Sequence, residues 1–121
     1  MNVSNVFKLA SVILFFNGLM SLFMTDMFFE MAAFTVNESL HTFGQFTGVT
    51  FLAMGIIAWK TVDLAGDNLK SFGKVYALTQ LMWVGIIGYH VAIGAAGGAT
   101  AIGNLAICAV LAGLFYWTSR D

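Results

Sequence analysis

The chain has 121 residues, 60% hydrophobic and 9% charged, with a net charge of −1 and a mean hydropathy of +0.87. Soluble domains carry roughly 45–50% apolar and about 25% charged residues, so this composition excludes an ordinary soluble fold. No Lys/Arg cluster could neutralise a run of phosphates, which sets nucleic acid aside as a partner.

A helix needs about 20 predominantly apolar residues to cross a bilayer core of roughly 30 Å. The charge-free tract between Lys8 and Asp26 predicts a first span over about 5–24, with Ser4 or Asn5 as its cap. Lys8 ahead of an apolar run imitates a signal peptide. Asn17-Gly18-Leu19-Met20-Ser21-Leu22 offers no small-x-small cleavage site, however, so the segment reads as a retained span. The next stretch, about 25–35, is too polar to cross and too apolar to float. Asp26, Glu30 and Asn37 share one helical stripe while Met27, Phe28, Met31 and Phe34 gather elsewhere, which predicts a short interfacial helix.

Span two follows over about 40–62, and a polar loop from Asp63 to Asn68 leads to span three over about 71–94. A glycine-rich turn then leads to span four over about 101–118, with no Asp, Glu, Lys or Arg between Lys74 and Arg120. The expected fold is all-α: a single transmembrane domain, 1–121, built as an up-and-down four-helix bundle with a short interfacial helix after the first span.

Lys8, Lys60, Lys70, Lys74 and Arg120 fall on the N-terminal segment, the middle loop and the C-terminus, while the first and third connections carry no Lys or Arg. The positive-inside rule then places both termini in the cytoplasm, with Trp59, Tyr116 and Trp117 as belt aromatics. Proline is absent, so the spans should be unkinked. Gly44 with Gly48, and Ala109 with Gly113, form small-xxx-small pairs that let helix backbones approach in lipid.

Polar side chains in lipid are costly, which makes the few present informative. Asn17 sits in span one, Glu38, His41 and Gln45 at the start of span two, Tyr76, Gln80 and His90 in span three, and Asn104 in span four. At about 1.5 Å of rise per residue, Asn17, His41, Gln45, His90 and Asn104 fall in the outer half, and only Gln80 lies clearly nearer the inner half. Glu38, His41, Gln45, Gly48, Leu52 and Gly55 form one stripe of span two, and Tyr76, Gln80, Trp83, Ile87, His90 and Gly94 one of span three. These stripes predict a pocket of Asn17, Glu38, His41, Gln45, Trp83, His90 and Asn104 near the outer face.

Three readings of that pocket stay open. The polar groups hydrogen-bond across helices and fix their register. Alternatively they hold a lipid, quinone, sterol-like molecule or pigment between walls of Phe43, Trp83 and Tyr89. In the third, Glu38 and His41 act as an acid/base pair with His90 as a second titrating group. Two His, one distant cysteine and scattered carboxylates are a poor ligand set, so no metal is expected. Cys108, the single cysteine, reads as a small buried hydrophobe.

A first span ending in Asn17-Gly18-Leu19, an amphipathic link, then Phe43-Gly44-Gln45-Phe46-Thr47-Gly48 and Leu52-Ala53-Met54-Gly55 resemble the DoxX-like family of small four-helix membrane proteins. The resemblance implies an up-and-down four-helix bundle. The namesake is associated with a thiosulfate:quinone oxidoreductase, but no catalytic residue of that enzyme maps onto a position of this chain. Small size and abundant small residues favour a non-catalytic accessory or scaffold subunit, assembled with other membrane subunits or with itself. An intramembrane enzyme or a lipid-, quinone- or pigment-binding protein is the alternative.

Overall fold

In the computed structural model, which describes residues 1–120, four helices are long and apolar enough to cross a membrane. α1 spans Val3–Phe23. Its cap lies ahead of Ser4 and Asn5: the Asn2 side chain accepts from the Asn5 N–H at 3.0 Å. α2, Thr25–Glu30, follows after a single residue. α3, Glu38–Leu64, is capped by Asn37, whose side chain accepts from the Leu40 N–H at 2.8 Å. A short 3-10 turn over Gly66–Asn68 leads into α4, Leu69–Ala92, and α5 closes the chain over Gly98–Ser119. The protein is a small multi-pass membrane protein with an all-α four-helix bundle.

The bundle is two pairs rather than a ring of equal neighbours. α1 packs along α3, and α4 along α5. Glycine sets the first pairing. A methyl added at Gly48 would lie 2.7 Å from the Leu22 nitrogen and 2.8 Å from the Gly18 carbonyl oxygen, so the two backbones are in contact there. Beside this crossing the Ser21 hydroxyl donates to the Gly44 carbonyl at 2.6 Å, the bond that joins the two helices. The second small pair behaves differently. Ala109 and Gly113 are exposed and nothing lies near Gly113, because α5 turns Ala101, Leu111, Ala112 and Phe115 inward.

α1 also leans on α5 and α4, and this junction forms the core. Phe7 and Phe115, fully buried, meet edge to face with ring centroids 4.9 Å apart, and Tyr76 joins them at 4.7 Å from Phe7. Val3, Val6, Ala10, Ala58, Ala77 and Leu111 fill the space around them. This core lies toward the end of the bundle that carries both termini. There Lys8 stands over the Trp59 ring at 5.7 Å and Arg120 over Trp117 at 4.9 Å. At the opposite end the charged residues are Asp26, Glu30 and Glu38.

α3 and α4 follow one another in the chain yet barely touch. The two pairs therefore meet at the terminal end and part toward the other. The linking segment spans that gap and is shorter and more embedded than an interfacial helix over 25–35. α2 ends at Glu30, Ala33 turns the chain at φ 66°, and Thr25, Phe28 and Ala32 are buried. The link is bound to the far pair by its backbone. The Ala32 carbonyl accepts from the Gly97 N–H at 2.9 Å, and the Met31 carbonyl from the Thr100 N–H at 3.2 Å. Gly97 offers no side chain to cap α5, so the first connection supplies that acceptor instead.

Candidate functional site

Where the pairs part, they enclose a cavity of about 450 Å³. Each helix contributes a stripe to its wall. Ile13, Leu14 and Asn17 come from α1, Phe43, Thr47 and Phe51 from α3, Gln80, Trp83 and His90 from α4, and Asn104, Ile107 and Leu111 from α5. Phe28, Phe29 and Ala32 of the link roof it over. Phe29 is itself held edge-on between Phe28 and Phe34, at 5.3 and 6.0 Å. Among the described residues no Asp, Glu, Lys or Arg lines the cavity.

The polar groups on this wall stand in order of depth. Counted at about 1.5 Å per residue from the link end, His90 lies roughly 3 Å in, Asn17 and Asn104 roughly 9 Å, and Gln80 roughly 18 Å. Asn17 donates its amide to the Ile13 carbonyl at 3.1 Å, an in-helix bond that leaves its own oxygen unclaimed. Gln80, His90 and Asn104 make no hydrogen bond among the described residues. Gln80 is 9% exposed. Its amide faces the cavity with no partner among the described residues, so the cavity floor carries unmet hydrogen-bonding capacity.

Of the expected pocket residues, the structure brings Asn17, Trp83, His90 and Asn104 together and leaves Glu38, His41 and Gln45 outside. The polar start of the α3 stripe does not face inward. Gly44, Gly48 and Gly55 set the buried face of that helix, and Gln45, one residue past Gly44, is rotated from it by about 100°. His41 is drawn the other way, its Nδ1 2.6 Å from the Asp26 carboxylate of α2. With the two side chains 46% and 58% exposed, this is a rim contact worth little in stability. Glu38 and His41 therefore share no enclosed space with His90. Among the described residues no three His, Cys, Asp or Glu side chains gather as a metal site would require.

Cross-helix hydrogen bonding, expected of Asn17, Gln45, His41 and Asn104, is made by His41 to Asp26 of α2, and between α1 and α3 by Ser21. Its signal was present in the sequence: Ser21 is three residues past Gly18, on the face that meets Gly44 and Gly48. Gln80 was legible as a polar residue in a span but lies deeper than the outer group. The roofing role of Phe28 and Phe29 had no sequence signal beyond their apolarity. Compared with family models, with curated proteins and with solved structures, the chain matches none.

Proposed function

We propose that this protein holds a small, largely apolar molecule with a hydrogen-bonding group inside the bundle, and that both termini face the cytoplasm, so that the roofed end of the cavity faces outward and its Gln80 floor lies near the middle of the bilayer. The observation that carries the reading is Gln80, nine-tenths buried and unpartnered on the wall of a 450 Å³ cavity. That volume lies in the range of about 300–1,000 Å³ typical of ligand sites. Aromatic walls and a few convergent polar groups are the usual composition of such sites. The basic residues and tryptophans gathered at the terminal end support the orientation.

The test is gentle purification from native membrane followed by solvent extraction and mass spectrometry. Stoichiometric recovery of one small amphiphile, lost in Gln80→Leu, supports the reading. Bulk lipid alone, identical in wild type and variant, refutes it.

An accessory-subunit role draws on a separate observation. Gly85, Gly103 and Gly113 have nothing within 4 Å, so α4 and α5 present notches to the lipid that the backbone of another helix would fit. A stable co-purifying protein, released by Gly113→Leu, would favour that role.

A further inference from the structure

We infer that the cavity takes its ligand sideways from the bilayer, through the slot between α3 and α4, and that the ligand is an uncharged lipid with one tail and a compact hydroxyl- or carbonyl-bearing head. This rests on the cavity reading above.

The wall decides the charge. Among the described residues the wall has no Asp, Glu, Lys or Arg, and its one imidazole, His90, lies by the roof about 6 Å short of Asn17 and Asn104, so an ionised head at their depth would lose its hydration without a pairing partner, and such burial is prohibitive. The free groups are His90 by the roof, the Asn17 carbonyl oxygen and the Asn104 amide at one common depth, and the Gln80 amide below them. These suit a neutral donor and acceptor. At 450 Å³ the space is at the small end for ligand cavities, enough for a head with one chain rather than two.

The route follows from which lining residues are also exposed. Phe43 on α3 is 66% exposed, Ile86 on α4 49% and Phe34 at the end of the link 40%. They form the lips of one opening. The wall residues from α1 and α5 are buried or half-buried. α3 and α4 lean together where Phe51 meets Trp83, ring centroids 6.0 Å apart, and otherwise leave the slot open. The watery end is shut by Phe28 and Ala32, with the link bonded to Gly97 and Thr100. A lipid already in the bilayer reaches the site without breaking those bonds.

The experiment uses the full chain with Trp59→Phe and Trp117→Phe, leaving Trp83 as the sole fluorophore, reconstituted in phosphatidylcholine vesicles. Bromine quenches indole fluorescence at contact. Three probes are compared: dibromostearoyl glycerol, dibromostearate at a pH where it is ionised, and dibrominated phosphatidylcholine. Saturable quenching by the glycerol ester at low mole fraction is expected, with the other two quenching only in proportion to their amount. Gln80→Leu should raise the half-quenching mole fraction about tenfold. Gln80→Asn, which keeps the amide, should lie between.

The route is read by locking the roof. A Cβ on Gly97 would lie 4.0 Å from the Ala33 Cβ, within disulfide reach, so Ala33→Cys with Gly97→Cys in a Cys108→Ala background clamps the link to the α4–α5 turn. Probe exchange at an unchanged rate in the oxidised protein supports the slot. Arrested exchange, restored by reductant, overturns the route, and equal saturable quenching by the ionised or two-tailed probe overturns the ligand class, in both cases leaving the cavity reading intact. A native amphiphile recovered by extraction while the glycerol ester fails to saturate refutes this inference alone. Failure of both experiments refutes the cavity as well.

Discussion

Replacing Gly48 by alanine tests whether the α1–α3 crossing is as close as its geometry requires. The new methyl would stand 2.7 Å from the Leu22 nitrogen and 2.8 Å from the Gly18 carbonyl oxygen, where an ordinary contact begins at 3.4 Å. Both obstacles are backbone, so no side chain can rotate away. The helices must separate by roughly 0.6–0.7 Å, and overpacking of this kind costs about 1–3 kcal/mol. The separation also stretches the 2.6 Å bond from Ser21 to Gly44, worth about 0.6 and at most about 1.7 kcal/mol in a membrane bundle. Alanine returns about 1 kcal/mol as a better helix former. The net loss is about 2 kcal/mol, on the order of a 30-fold shift in the unfolding equilibrium. Equilibrium unfolding in mixed micelles with increasing dodecyl sulfate, followed by tryptophan fluorescence, measures it. Gly113→Ala is the internal control: with nothing within 4 Å it gains the propensity term and loses no contact. Equal stability of Gly48→Ala and Gly113→Ala would refute the close crossing.

Other expectations follow from the same geometry. Phe7→Ala empties the centre of the Phe7–Tyr76–Phe115 cluster; because its surroundings compete with lipid rather than water, the loss should fall toward the low end of about 3–5 kcal/mol in the same assay. Gly98→Ala places a methyl against the Met31 carbonyl at a residue with φ +69°, so the roof should loosen and amide exchange at Gly97 and Thr100 accelerate, with helix content unchanged. His41→Ala should change stability by less than about 1 kcal/mol, since its contact with Asp26 is exposed; a larger loss would mean the roof depends on that pair. For orientation, a C-terminal reporter active only in the cytoplasm should be on, and one active only outside should be off.

Much of the architecture was legible because lipid imposes a one-dimensional rule. A helix must be long and uncharged to cross, so four spans could be counted from the gaps between charges. Helix ends shifted by a few residues because Asn2 and Asn37, rather than Ser4 or Asn5 or a hydropathy edge, supply the caps. The facing of side chains was harder. On the 3.5-residue stripe from Glu38 to Gly55, Gly48 and Gly55 are buried against α1, whereas His41 in its polar start contacts the roof helix instead of the interior. Sequence periodicity marks which residues share a face but not which neighbour takes that face. The separation of α3 from α4, and hence the cavity, follows from α1 seating against α3 on one side and α5 on the other. Nothing local to spans two and three encodes it. Gln80 and Asn104 could be named as polar, but only the parting of the two pairs gives them a common space.

That parting has a bearing on how the chain is assembled from its covalent pieces. Ala65 and the exposed residues Gly66, Asp67 and Asn68 are the covalent bridge between one half, which ends with α3, and the other, which begins with α4. Such a tether contributes chiefly by raising the concentration of one half near the other. At the same end Val3 and Ser119 both crowd Gly73, so the two termini are close neighbours. The order of the halves along the gene is therefore arbitrary as far as packing is concerned. A permutant joined through its old termini and opened in the Gly66–Asn68 turn should fold to the same bundle, and the halves expressed as separate chains should find each other in the membrane.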